Sequence, residues 1–389
     1  KIFQELKESN GNKINKYLKK EIPIYVSQKL NNTPNVCKNK YMNNCTYPWT
    51  GMVISPQGHI KLCCVIPNSI NIFNKNQKEH YHISKVDSLM DFFNGEEYDA
   101  VRKRFTEKTF HYHPECKDCT RFYNEGKEAN YTNSQRWDPS INKLQYLEFT
   151  ASNVCNQQCV MCSSYYSNQW LKIDHMFGRS IDSSIKNKTH ILTDKDINKI
   201  IECLPYLKEL EIKGGEPFAD VRNYDIMKKL FEVNDKCIIN ILTNGSLISK
   251  KYMNLIKDNP ERFTIHASID AIGKRYEWIR GTQWEKTDET LKKIYYECGV
   301  KSKPVPTLSI YNIYDVANLD YWAIESEYIE TYGHHYEVYD YYVNYVEWPG
   351  WSCHKKVLTQ DEIDLIPDLP FPIKSQYNEF DYEQHIKYT

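Results

Sequence analysis

The stretch Leu144-Gln-Tyr-Leu-Glu-Phe-Thr-Ala-Ser-Asn-Val-Cys155-Asn-Gln-Gln-Cys159-Val-Met-Cys162 decides the reading of this chain. Residues 144–150 are a β-rich run. The three cysteines that follow, spaced Cys-x3-Cys-x2-Cys, put three soft thiolates in one short loop, which suits an iron–sulfur cluster. They are one ligand short of a closed four-cysteine site, so a [4Fe–4S] cluster held by them keeps one iron open to another ligand. On spacing alone, a structural zinc knuckle with a distant fourth ligand stays an alternative.

Downstream of the loop, strand and helix signals alternate. Further β-rich runs lie at 207–213, 237–243, 263–269, 305–311 and 335–346, with helical patterns around 194–204, 224–233, 249–258, 288–298 and 320–332. Ser249 and Asp288 stand where N-caps are expected. Strands separated by single helices imply parallel βαβ units. Six strands are too few for a closed eight-unit barrel of about 250 residues, so the expectation is an open α/β partial barrel. Sites in such sheets form at the C-terminal strand ends, which is where the cysteine loop falls.

The second strand of this region ends in Gly214-Gly215-Glu216-Pro217. Two glycines let the backbone approach a ligand closely, and Glu216 offers a carboxylate to a cationic group. The third strand ends in Thr243-Asn244, the fourth in Ser268-Ile-Asp270, and the fifth run reaches Asn312. Taken with the cysteine triplet, this set resembles the radical S-adenosylmethionine (SAM) enzymes. The resemblance implies a six-stranded partial (β/α)6 barrel and a [4Fe–4S] cluster on Cys155, Cys159 and Cys162. It implies SAM at the open iron, contacted by Gly214, Gly215, Glu216 and Pro217, by Thr243 and Asn244, and by Ser268 and Asp270 at the ribose, with Asn312 beside them. One departure is Met161, which stands where the family usually has an aromatic residue next to adenine; Met is an adaptable apolar filler.

A second constellation precedes the first. Cys45-Thr-Tyr-Pro-Trp is followed by Gly58-His-Ile-Lys-Leu-Cys63-Cys64, by an amphipathic run over 86–98, and by Cys116-Lys-Asp-Cys119. It resembles the SPASM/twitch auxiliary-cluster domains of radical SAM enzymes, although those usually follow the barrel. The resemblance implies one closed auxiliary [4Fe–4S] cluster on Cys45, Cys63, Cys116 and Cys119, with Cys64 a substitute for Cys63; a four-cysteine zinc site remains the alternative. The implied divisions are a helical arm over 1–40, the auxiliary domain over 41–125, a linker over 126–142, the barrel over 143–346 and a tail over 347–389.

By this resemblance the activity is reductive cleavage of SAM to a 5′-deoxyadenosyl radical, which takes hydrogen from a substrate. The substrate expected first is a peptide or protein; a sugar, cyclitol or nucleoside is the alternative, and a non-catalytic two-cluster electron-transfer or structural protein is the reading of another class. A flavodoxin- or ferredoxin-type reductant is implied. Cys353 is a candidate hydrogen donor or extra ligand, but an ordinary semi-buried cysteine fits it better. His334, His335 and His354 lack ligand spacing.

Composition is that of an ordinary soluble globular protein. The 389 residues are 41% hydrophobic and 26% charged with net charge −1, so no global field attracts nucleic acid or an anionic membrane. No apolar run approaches the ~20 residues of a membrane span. The first residues lack a signal-peptide core, and the missing initiator Met suggests an upstream start. The thirteen cysteines are unevenly placed, and without an export signal the clustered ones read as metal ligands in a reducing cytoplasm. Abundant Asn, Lys, Ile and Tyr suit an AT-rich genome, a phage genome included.

Overall fold

The computed structural model describes residues 45–66, 70–73, 80–117, 119–120, 136–176, 178, 192–330 and 344–345. All described residues fall in one compact unit that begins at Asn43. The proposed arm, most of the linker, most of the sixth barrel strand, and His334, His335, Cys353 and His354 lie outside them.

The centre is a seven-stranded sheet in the order β2-β1-β3-β4-β5-β6-β7. Its strands are β1 (Gly51–Ile54), β2 (Ile60–Lys61), β3 (Tyr146–Phe149), β4 (Glu209–Ile212), β5 (Ile238–Thr243), β6 (Phe263–Ala267) and β7 (Ser302–Pro304). β1 and β2 form the expected antiparallel hairpin around Gly58. Every other neighbouring pair is parallel. The fold is therefore the mostly parallel α/β architecture expected of the barrel region, but the cysteine-rich N-terminal region is not a separate layer. β1 pairs with β3 in register from Gly51↔Tyr146 to Ile54↔Phe149.

Side-chain alternation explains the layers. Leu147, Phe149, Leu210, Ile212, Ile239 and Ile241 are almost fully buried. The intervening positions form a register row of Val53, Glu148, Glu211 and Asn240 across four strands. This second face is polar, and Lys213 ties it together with Nζ at 3.2 Å from Glu148 and 2.6 Å from Glu211.

Helices α1 (Tyr47–Thr50), α2 (Leu89–Phe93) and α3 (Glu96–Glu107) belong to the N-terminal region. The run read as one amphipathic helix breaks at Asn94-Gly95 into α2 and α3. Arg102 on α3 donates from Nε to Pro48 O (2.9 Å) and from Nη2 to Phe93 O (2.7 Å), with its guanidinium over the Phe93 ring. In the barrel region stand α4 (Leu171–Met176), α5 (Asp194–Cys203), α6 (Val221–Val233), α7 (Lys250–Lys257), α8 (Gly273–Arg280), α9 (Trp284–Cys298) and α10 (Val316–Glu325). A Thr193/Asp196 capping box starts α5. Buried Lys199 on α5 donates to Ile83 O at 2.7 Å and ties the two regions together.

Two expectations need correction. The fifth strand is not 305–311: β7 ends at Pro304, and the chain re-forms a short strand, β8 (Thr307–Leu308), beside β9 (Asn344–Tyr345). Pro304 and Pro306 lack the N–H that a continuous ladder needs. Ser249 stands at the α7 N-cap as expected, without a side-chain capping bond. Asp288 lies inside α9, where it pairs with Lys292 at 2.7 Å. Helix α8 went unread in the sequence. No described helix is long and apolar enough to cross a membrane.

Arg102→Ala leaves the Pro48 and Phe93 carbonyls without their buried donor, and such losses cost about 1–3 kcal/mol each. A reduction of about 3 kcal/mol in unfolding free energy is expected in denaturant titrations.

Candidate active site

Local sequence fixes the cysteine loop against the strand ends. After β3 the chain leaves the sheet at Thr150. The Cys155 N–H donates to Asn168 Oδ1 (3.1 Å), and the Trp170 indole N–H donates to the Cys159 carbonyl (3.0 Å). Ser167 Oγ donates to Gln157 O at 2.8 Å. The Gly214-Gly215 turn packs directly beneath, with φ of +79° and +50°. A Cβ on Gly215 would lie 2.3 Å from Val154 O, and one on Gly214 would lie 2.0 Å from the Thr150 side chain. Glycine is required at both positions by conformation and by close approach.

These elements enclose a cavity of about 600 Å³. Cys155, Cys159, Cys162, Met161, Gly214, Gly215, Thr243, Asn244 and Ser268 all line it. So do Cys64, Lys61 and Ser55 from the N-terminal hairpin, and Glu148, Lys213, Tyr165, Tyr166 and Arg280, none of which the sequence singled out for this site. The N-terminal region thus shares a wall with the loop despite its inverted place in the chain.

Four expected SAM contacts stand behind this lining. Glu216 is 1% exposed. Its Oε1 accepts from Phe218 N (3.0 Å) and Thr243 Oγ1 (2.7 Å), and its Oε2 from Asn244 N (2.7 Å). Burial pushes its carboxyl up to about 7 against those three donors. A carboxylate has about four acceptor positions, so one remains for an incoming donor. Pro217 starts the short turn after it, and its carbonyl accepts from Asn223 Nδ2. Asp270 does not face the cavity: Oδ1 accepts from Thr307 N (2.7 Å), and Oδ2 is 2.6 Å from Arg280 Nε. Asn312 is fully buried. Its Nδ2 donates to Asp270 O and Thr307 O, and its Oδ1 accepts from Ser309 N and Oγ. Asp270 and Asn312 thus make these bonds within the scaffold around Thr307, Ser309 and Arg280.

The donor set fits an iron–sulfur cluster. The three loop thiols are not in disulfides. Burial pushes Cys155 up to about 11, and raises Cys159 and Cys162 as well; metal loading must therefore displace protons. Donors already point at the sulfurs: Gln157 N–H to Cys155 Sγ (3.4 Å), Asn244 Nδ2 to Cys155 Sγ (3.9 Å) and Arg280 Nη1 to Cys159 Sγ (3.8 Å).

Cys45, Cys63 and Cys119 are buried. The Cys116 thiol is held up by burial and then by the charges of Cys45, Cys63 and Cys119. Cys64 parts from its neighbour and lies on the cavity wall. Among the described residues, no three His, Cys, Asp or Glu side chains gather as tightly as a single metal ion requires.

The comparisons agree with this geometry. Residues 149–311 match the Radical SAM superfamily, and residues 45–120 match an iron–sulfur cluster-binding domain, SPASM. The chain therefore carries a radical SAM domain preceded by a SPASM domain. The cofactor set these domains define is SAM with two iron–sulfur clusters, one SAM-binding and one auxiliary. Among solved structures, the chain is similar to native anSMEcpe with bound AdoMet, at 17% identity over 46% of this chain and 45% of that one, TM-score 0.32. It is also similar to Streptococcus suis SuiB bound to S-adenosylmethionine, at 15% identity over 72% and 63%, TM-score 0.36. The chain spans about half the length of the first of these, and neither likeness bears on substrate.

Gly215→Ala should push the cysteine loop off the Gly-Gly turn. The expected outcome is a loss of about 2 kcal/mol or more in stability, together with fewer irons bound per chain after anaerobic reconstitution.

Proposed function

We propose that the protein is a radical SAM enzyme acting on a peptide or protein. The observation that carries this reading is the convergence of the three-cysteine loop, the Gly214-Gly215 turn, Thr243, Asn244 and Ser268 on one cavity at the C-terminal ends of parallel strands. Cys155, Cys159 and Cys162 would hold one cluster, and Cys45, Cys63, Cys116 and Cys119 a closed auxiliary cluster. When bound, SAM on the reduced cluster supplies a 5′-deoxyadenosyl radical able to take hydrogen from a substrate carbon.

The protein's own groups bind and orient. The glycine turn admits the methionyl part to the loop. Glu216 accepts from its amino group, Thr243 and Asn244 face its backbone, Ser268 serves the ribose, and Met161 packs on adenine. Tyr165 and Tyr166 on the cavity wall limit water. Lys61, Glu148 and Lys213 give the substrate side a polar, mixed-charge surface, which suits peptide amides and charged side chains better than an apolar ligand. A flavodoxin- or ferredoxin-type protein supplies the electron.

Reconstituted protein with dithionite and SAM should release 5′-deoxyadenosine, and a cognate peptide should raise its yield. Cys155→Ala should abolish release and lower bound iron from about eight per chain to about four, the content of one [4Fe–4S] cluster. No nucleoside from the wild-type protein overturns the reading.

Glu216 gives a pH signature. Burial raises its carboxyl to about 7, and an amino group needs the ionised form as acceptor. SAM affinity should be highest above pH 7 and fall by up to about tenfold per unit below it. Glu216→Gln should bind more weakly and lose that slope. Comparing the two proteins by equilibrium dialysis from pH 6 to 8 cancels the titration of SAM itself.

A further inference from the structure

Arg280 is a buried cation with no counterpart among the motifs of the sequence. It ends α8, is 8% exposed, and lines the cavity beside the cysteine loop. Two observations join it to that loop. Its Nη1 donates to Cys159 Sγ at 3.8 Å, and the preceding carbonyl, Ile279 O, accepts from Val160 N at 2.9 Å. The helix then stops at Gly281, whose added Cβ would already touch Gln158 O at 3.4 Å, so the loop rests on the helix end.

The other side of the guanidinium is held as firmly. Nε lies 2.6 Å from Asp270 Oδ2, and the Asp270 side chain has no exposure. Asp270 is fixed in turn by the Thr307 N–H at 2.7 Å, and its carbonyl by Asn312 Nδ2 at 2.9 Å. An arginine oriented by a buried carboxylate cannot swing to solvent, and it cannot lose its proton. Its charge stays next to one ligand sulfur.

We propose that Arg280 is a positioning residue that sets the reduction potential of the SAM-binding cluster through Cys159, with Asp270 trimming its charge. The inference rests on the cluster assignment above. A cluster on three thiolates gains negative charge when reduced. Hydrogen bonds to its sulfurs and nearby positive charge favour the reduced form, and a buried carboxylate opposes it. Arg280 and Asp270 therefore act with opposite sign on one electron transfer, while the packing role of each is shared.

The test is a potentiometric titration of the reconstituted full chain by electron paramagnetic resonance, followed on the signal whose shape changes when SAM is added. Arg280→Met should move the midpoint to more negative potential. Asp270→Asn, which keeps the guanidinium and the Thr307 contact, should move it the other way. Arg280→Lys should lie between wild type and Arg280→Met. Iron content and thermal unfolding of each variant check that the cluster and the fold are retained. If Arg280→Met loses the cluster, the opposite shifts in Asp270→Asn and Arg280→Lys still decide the matter. Midpoints that stay at the wild-type value, or shift in the same direction for Arg280→Met and Asp270→Asn, overturn the inference while leaving the enzyme reading intact. A wild-type chain that takes up no SAM-responsive cluster overturns both.

Discussion

The parallel pairing of β1 with β3 is the constraint on which the site depends. Its register aligns the C-terminal ends of the two strands, Ile54 beside Phe149. The hairpin that follows β1 is thereby delivered to the same rim as the cysteine loop that follows β3. Between Cys63 and Cys64 the chain then divides its loyalties. Cys63 is buried near Cys45, Cys116 and Cys119, whereas Cys64 is exposed on the wall of the barrel cavity. Two adjacent thiols thus belong to different sites because one pairing fixed the hairpin's orientation. Lys61 reaches the cavity for the same reason, three residues before Cys64.

The polar face of the sheet follows from the same register. Once Glu148 stands beside Glu211, two carboxylates share a buried space. Lys213 sits between them, and Tyr146 donates its hydroxyl to Glu148 (3.0 Å) and Glu211 (2.7 Å). Burial opposes the Lys213 ammonium, yet its two carboxylate neighbours more than offset this and hold it well above the ordinary lysine range. Glu148 is held up by burial. Breaking such a group by removing one partner is costly, because the others remain buried and charged.

What could be read in the sequence was what is local. Three cysteines within eight residues, two adjacent glycines at a strand end, and Thr243-Asn244 after an apolar run carry their meaning in their own spacing. The structure brings these together. Asp270 and Asn312 looked like ligands for the same reason, as polar groups at strand ends. Their partners lie elsewhere: Arg280 follows ten residues after Asp270 on a helix bounded by Gly273 and Gly281, and Thr307 comes from beyond the next helix. No periodicity announces such partners. Glu148 was closer to legible, since Tyr146 and Glu148 alternate with Leu147 and Phe149, but alternation alone does not say that the polar face turns into a cavity. The fifth strand failed on proline chemistry, a local signal outweighed by its apolar neighbours.

The order of the two regions has a consequence for how the chain is made. β1 leaves the ribosome more than ninety residues before β3, the strand that covers its parallel side. Until then the nascent hairpin has an open edge, and open edges recruit other strands. Its Cys45, Cys63, Cys116 and Cys119 are all synthesised before the first cysteine of the barrel loop. Assembly therefore has a built-in sequence: the auxiliary thiols exist first, and the wall of the cavity closes only when β3 arrives to dock against a strand already waiting for it.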